Sequence, residues 1–91
     1  MLINIGYGNV VNSHKIVAII NPDSAPSKRL VQSCKDNGTA IDATQGRKTK
    51  AIIVTDKHVI LSALLPETIA GRFQDIMEPT NGTVLKGEGN E

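Results

Sequence analysis

Residues 51–61 read Ala51-Ile52-Ile53-Val54-Thr55-Asp56-Lys57-His58-Val59-Ile60-Leu61, and how these eleven positions fold decides the rest. Two runs rich in β-branched residues, 51–55 and 59 to 64 or 65, flank the polar Asp56-Lys57-His58 at hairpin spacing. Neither run alternates apolar and polar residues, as a strand with one wet face does. Both faces of this hairpin must therefore be covered.

Working upstream, Ala40-Ile41-Asp42-Ala43-Thr44 predicts a short strand, followed by the polar, basic loop Gln45-Gly46-Arg47-Lys48-Thr49-Lys50. Before it, Asp23 or Ser24 can cap a helix that has Pro26 in its first turn and runs to about Asn37, with Gly38 as a left-handed stop. Leu30, Val31 and Cys34 share one face of that helix. Lys15-Ile16-Val17-Ala18-Ile19-Ile20 is another unalternated strand, ended by Asn21-Pro22 because the residue before proline avoids the helical region. Leu2 to Ile5 forms a first strand, interrupted by the turn cluster Gly6-Tyr7-Gly8-Asn9 and resumed by Val10 and Val11. Downstream, Pro66 opens a second helix with an apolar stripe of Ile69, Ala70, Phe73, Ile76 and Met77. The order β-β-α-β-β-β-α indicates an α+β fold, a small mostly antiparallel sheet with two short helices. One domain is expected over 1–78, and the Gly/Asn/Glu-rich stretch 79–91 has nothing to bury and is expected to be a disordered tail.

Three strands apolar at successive positions ask for cover on both sheet faces, and two short helices can cover one face well but scarcely both. Leaving the second wet would forfeit many kcal/mol at about 25 cal/mol per Å². Self-association into a cyclic homo-oligomer is the expected remedy; the alternative is that loops and the N-terminal strand cover the second face within a monomer.

The single cysteine, Cys34, excludes an intrachain disulfide and a cysteine-based zinc site, which fits a reducing cytosol. No signal peptide is read at the N-terminus, and no apolar stretch approaches the roughly 20 residues that span a bilayer; the two Asn-Gly-Thr sequons therefore read as chance matches. Aromatic residues are limited to Tyr7 and Phe73, so Ile, Val, Leu and Ala must build the core.

Charge is distributed unevenly. Residues 1–58 hold eight Lys/Arg against four Asp, a balance of +4, whereas 59–91 hold two against five acidic residues, a balance of −3. The basic portion points to an anionic partner. Arg47-Lys48-Thr49-Lys50 places three cations in four positions before a buried strand, so they must face solvent. A guanidinium fork and ammonium groups match phosphate oxygens, and the Thr49 hydroxyl adds a donor. Repeated around an oligomer, several such weak contacts act together.

Other chemistry fails on inspection. Gly46-Arg47-Lys48-Thr49 lacks the contiguous Gly-Lys-Thr and the earlier glycine of a phosphate-binding loop, and Gly6-Tyr7-Gly8-Asn9-Val10-Val11 has Val11 where a dinucleotide fingerprint needs its third glycine. His14 and His58 lie outside any metal-ligand spacing, Cys34 reads as core or interface filler, and Ser13, Ser24 and Asp42 form no recognisable triad. No catalytic residue, metal or cofactor is expected.

The segments become specific in combination. Asn4-Ile5-Gly6-Tyr7-Gly8-Asn9, Pro22-Asp23-Ser24-Ala25-Pro26, the stretch from Ile41 to Lys50, and His58-Val59-Ile60-Leu61-Ser62-Ala63 with Pro66-Glu67-Thr68 form a series. Over residues 2–75 it closely resembles the RemA family of bacterial biofilm-matrix regulators. The resemblance implies a transcriptional activator of matrix and osmoprotection operons, in the cytoplasm and associated with the nucleoid. It also implies a ring of seven or eight subunits around which double-stranded DNA wraps. The family's paired basic residues fall on Arg47 and Lys48, with Lys50 two beyond and a further basic position at Lys15. Family members carry arginine where this chain has Lys15, Lys48 and Lys50, so charge is kept while bidentate geometry is lost.

The expected DNA-binding residues are thus Arg47, Lys48 and Lys50 on phosphates, with Lys15, Lys28 and Arg29 as a secondary shell. No membrane and no small-molecule substrate are expected. The alternative is an oligomeric scaffold whose basic loop takes an acidic protein partner. An RNA-binding module ranks lower, for want of paired aromatics to stack bases, and an enzyme lowest.

Overall fold

Three successive residues, Gly6, Tyr7 and Gly8, take positive φ (104°, 54° and 84°), and the chain reverses on them. In the computed structural model, which describes residues 1–77, Leu2–Gly6 (β1) and Asn9–Asn12 (β2) consequently pair antiparallel as a separate two-stranded sheet. Val10 and Val11 therefore do not resume the first strand; they return alongside it. At Gly6 the left-handed backbone meets a second constraint, since an added Cβ would lie 3.0 Å from the Leu64 side chain.

A short 3-10 turn, Ser13–Lys15, leads into Ile16–Ile20 (β3), so Lys15 precedes the strand rather than starting it. The helix Ala25–Asp36 (α1) is capped by Ser24, whose Oγ accepts the Ser27 amide. Asp23 is not the cap: its own amide is taken by Asn21 Oδ1. After Gly38, at φ 80°, come Ala40–Asp42 (β4), Ala51–Thr55 (β5), Val59–Ser62 (β6) and the helix Pro66–Met77 (α2). β4 and β6 end short of the expected strands, where a side chain takes over the amide two positions on. Asp42 Oδ1 accepts the Thr44 amide after β4, and Ser62 Oγ accepts the Leu64 amide after β6.

The second sheet has the order β3-β5-β6-β4. β5 pairs antiparallel with β3 and β6, whereas β4 lies parallel to β6. The fold is α+β with mostly antiparallel sheets, as expected. α1 is the crossover that carries the chain from the β3 edge to the β4 edge.

Side-chain alternation along β5 and β6 sends residues to two different layers. Ala51, Ile53 and Ile60 join Ile3, Ile5, Ala43 and Ile69, so the hairpin β1-β2 and α2 roof this face. Ile52, Val59 and Leu61 point the other way, against Val31 and Cys34 of α1. Leu30, expected on the same helical stripe, stays at the exposed edge. Each fully buried isoleucine contributes about 1.5–3 kcal/mol, and Ile52, Ile53 and Ile69 are wholly buried.

This arrangement corrects one premise. The sheet has no bare face waiting for a second copy, because the N-terminal hairpin supplies the cover that two helices could not. Apolar exposure is found instead at the sheet edges and on the hairpin: Val17 at a bulge in β3 is 70% exposed and Ile41 on β4 is 46% exposed, with Leu2 and Val10 also open. Ile41 sits with Val11 and Ile60 in a depression of about 350 Å³ beside the hairpin. The expected tail, 79–91, lies outside the described residues, as do the side chains of Ile76 and Met77.

Candidate nucleic-acid interface

The basic loop between β4 and β5 is held at both ends. At its start, Gln45 and Gly46 both take positive φ (55° and 80°), and the Arg47 amide donates to the Thr44 carbonyl at 3.1 Å. These φ angles are those of a type I′ turn, whose second central residue is commonly glycine. At its end, the Lys50 amide donates to the Ser62 carbonyl at 2.8 Å. Arg47, Lys48 and Lys50 are exposed between these anchors, and Thr49 is half-buried.

Beneath the turn, Asp42 Oδ1 accepts both the hydroxyl and the amide of Thr44 at 2.6 and 2.9 Å. The Thr44 hydroxyl, then the Thr44 amide, hold the Asp42 carboxyl below its usual range, with a smaller pull from the charge of Lys35.

Tyr7, at the tip of the β1-β2 hairpin, reaches this loop. The Arg47 guanidinium carbon lies 3.9 Å from the Tyr7 ring centroid, within cation–π range. Asn9 ties the same two loops together: its side-chain amide donates to the Gly6 carbonyl at 3.0 Å and to the Ala43 carbonyl at 3.2 Å. The sequence reading assigned Tyr7 only to a turn. The available signal was a bulky aromatic between two glycines, in a chain with only two aromatic residues.

The structure gathers some of the six expected residues and separates others. Lys48, Thr49 and Lys50 line a cleft of about 300 Å³ whose other wall includes Asp23, Leu65 and Glu67. Thr49 also lines an adjoining cleft of about 250 Å³ with Lys28, Gln32 and Lys35 of α1, floored by Ile52 and Leu61. Lys28 thus joins the loop cations, and so does Lys35, which the sequence reading passed over. Their spacing of seven residues, two helical turns, was enough to place them on one face.

Lys15 is elsewhere. It precedes Ile16, which pairs with Thr55 at the far end of β5 from Lys50, roughly 16 Å away along the strand. There its Nζ lies 3.6 Å from Asp56 Oδ2, the one ion pair among the described residues. Both side chains are half exposed, so the pair is screened and weak. Arg29 lines neither basic cleft. Among the described residues no three metal-ligating side chains come together, and His58 serves a turn, its carbonyl accepting the Thr55 amide and hydroxyl.

Comparison with known proteins decides which family these features belong to. The family model described as extracellular matrix regulatory protein A-like, RemA-like, matches residues 2–73. The chain belongs to the RemA-like family. Three similar proteins carry a provisional regulatory-protein name. One from Pseudothermotoga lettingae is 60% identical over 77 residues, covering 84% of this chain and 85% of its own length. One from Nostoc punctiforme is 58% identical over 73 residues, covering 79% and 83%. One from a Thermoanaerobacter species is 48% identical over 91 residues, covering 99% and 95%. The RemA-like match takes in both the Tyr7 turn and the basic loop, and it supports a regulatory role. No helix among the described residues is long and apolar enough to cross a membrane.

Proposed function

We propose that this RemA-like protein is a DNA-binding transcriptional regulator, acting as a ring of identical protomers that holds the DNA backbone on its basic loops. Arg47, Lys48 and Lys50 are the primary phosphate contacts, with Lys28 beside them. The observation that carries this reading is the pinned loop itself. It presents three exposed cations with no ion-pair partner among the described residues. Such cations do little for the fold, yet they suit sequence-tolerant contact with phosphates.

Lys15 lies away from that cluster, and Arg29, next to Lys28 on α1, lines neither of its clefts. They serve other segments of a duplex wrapped on the ring. DNA curvature and repeated sites, rather than a single recognition helix, then provide specificity. Self-association is favoured by the exposed Val17 and Ile41 edges and the open Leu2 and Val10 on the hairpin, which would bury apolar surface against a neighbour. The family description favours extracellular-matrix genes as targets; the resemblance adds osmoprotection genes and a cytoplasmic, nucleoid-associated location.

The test is a mobility-shift titration of the wild-type protein and an Arg47→Ala/Lys48→Ala variant on curved duplex DNA. Light scattering of each protein is measured alongside. The double variant should lose DNA binding and keep the wild-type mass, which should exceed that of a monomer. A wild-type protein that shifts no DNA at low salt would favour a scaffold with an acidic protein partner.

A further inference from the structure

We infer that Tyr7 is a positioning residue for the basic loop, holding the Arg47 guanidinium face-on so that its edge is presented to an anion. The inference rests on the reading of Arg47 as a phosphate contact and adds a residue that composition and charge alone do not mark.

Three observations carry it. First, the Tyr7 backbone is left-handed, at φ 54°. Bulky residues rarely adopt this region, and glycine, asparagine or aspartate would fit it with less strain. A tyrosine kept there points to a use for its ring. Second, the ring is not core: Tyr7 is 47% exposed, and its ring packs on the Arg47 guanidinium at 3.9 Å. Third, the stack is built on a fixed base. The Gly6 amide donates to Asn4 Oδ1 at 2.7 Å, and the Asn9 amide joins the hairpin tip to Ala43 at the root of the basic loop.

The geometry suits a phosphate. All five guanidinium donors lie in the guanidinium plane, so a ring packed on its face leaves the hydrogen-bonding edge open. One donor, Nη1, makes a long contact of 3.4 Å to the Gln45 carbonyl. The others remain available to oxygen atoms of a bidentate partner. Holding the arginine in place before binding removes part of the ordering cost of an otherwise mobile side chain.

The substitution Tyr7→Asn separates ring from backbone, because asparagine tolerates positive φ. Full-length wild type, Tyr7→Asn, Tyr7→Phe, Arg47→Ala and the Tyr7→Asn/Arg47→Ala double variant would be titrated with duplex DNA by fluorescence anisotropy. Melting temperature and oligomer mass are recorded for each. Tyr7→Asn should melt no lower than wild type yet bind DNA roughly two- to fivefold more weakly for each loop engaged, the worth of an exposed cation–π contact. Tyr7→Phe should bind as wild type does. The double variant should bind no more weakly than Arg47→Ala alone, since the ring acts only through the arginine. Wild-type affinity in Tyr7→Asn, or additive losses in the double variant, would overturn the role of Tyr7 and leave Arg47 as a phosphate contact. Wild-type affinity in Arg47→Ala would overturn both.

Discussion

The hydroxyl of Ser62, buried completely, donates to the carbonyl of Ile5 at 2.8 Å. This bond joins the N-terminal hairpin to the central sheet across 57 positions of chain. Ser62 Oγ also accepts the Leu64 amide at 3.1 Å, and the Ser62 carbonyl accepts the amide of Lys50. One serine therefore fixes the roof of the main core, the end of β6 and the exit of the basic loop.

Removing the hydroxyl should be costly. Ser62→Ala leaves a buried carbonyl and a nearby amide without their partner, which costs about 1–3 kcal/mol. Urea denaturation should show a lower midpoint with an unchanged slope. An unaltered midpoint would mean that the hairpin is held by apolar contact alone.

Two glycines at positive φ should respond differently to the same change. Gly6→Ala combines a strained φ of 104° with a Cβ 3.0 Å from Leu64, whereas Gly46→Ala faces φ 80° with nothing within 4 Å. The first should lower the melting temperature more than the second, whose cost is limited to the roughly 1–2 kcal/mol of left-handed strain. Equal losses would show that the Leu64 side chain yields freely.

The carboxyl of Asp42 predicts an acid limb. Its pKa is lowered in the folded state by the Thr44 hydroxyl and amide, so it favours folding above the ordinary aspartate value of about 3.9. That stability is lost as pH falls through the folded value. Asp42→Asn should be less stable than wild type at neutral pH and should lose less of its stability between about pH 4 and stronger acid. Chemical denaturation at a series of pH values reads the difference; parallel profiles would assign the acid limb to other groups.

The central hairpin was legible because Ile52, Ile53, Val59 and Ile60 admit only strands with both faces covered. The start of α1 was legible from Asp23-Ser24 before alanine-proline, but the choice between the two caps was not, since it turns on Asn21 Oδ1 taking the Asp23 amide. What covers the second face was not. The Gly6-Tyr7-Gly8 reversal turns the first strand back on itself, and that depends on three backbone angles rather than on hydrophobic pattern. The reading therefore assigned to a partner subunit the burial that Ile3 and Ile5 provide within the protomer. At the site, Arg47, Lys48 and Lys50 stood out as a charge run on a loop. The approach of Lys28 and Lys35 depends on how α1 crosses the sheet, and the removal of Lys15 to the far end depends on the antiparallel register of β3 with β5. The Tyr7–Arg47 stack joins positions 40 residues apart, beyond the reach of any local pattern.

The salt dependence of DNA affinity tests the central claim most directly. If Arg47, Lys48 and Lys50 neutralise phosphates on several protomers at once, the logarithm of the association constant should fall steeply and linearly with the logarithm of salt concentration. Replacing Lys50 with alanine should lower that slope by about one for each loop engaged, while affinities for different sequences fall alike. A flat salt response, or a slope untouched by Lys50→Ala, would contradict backbone binding by this loop.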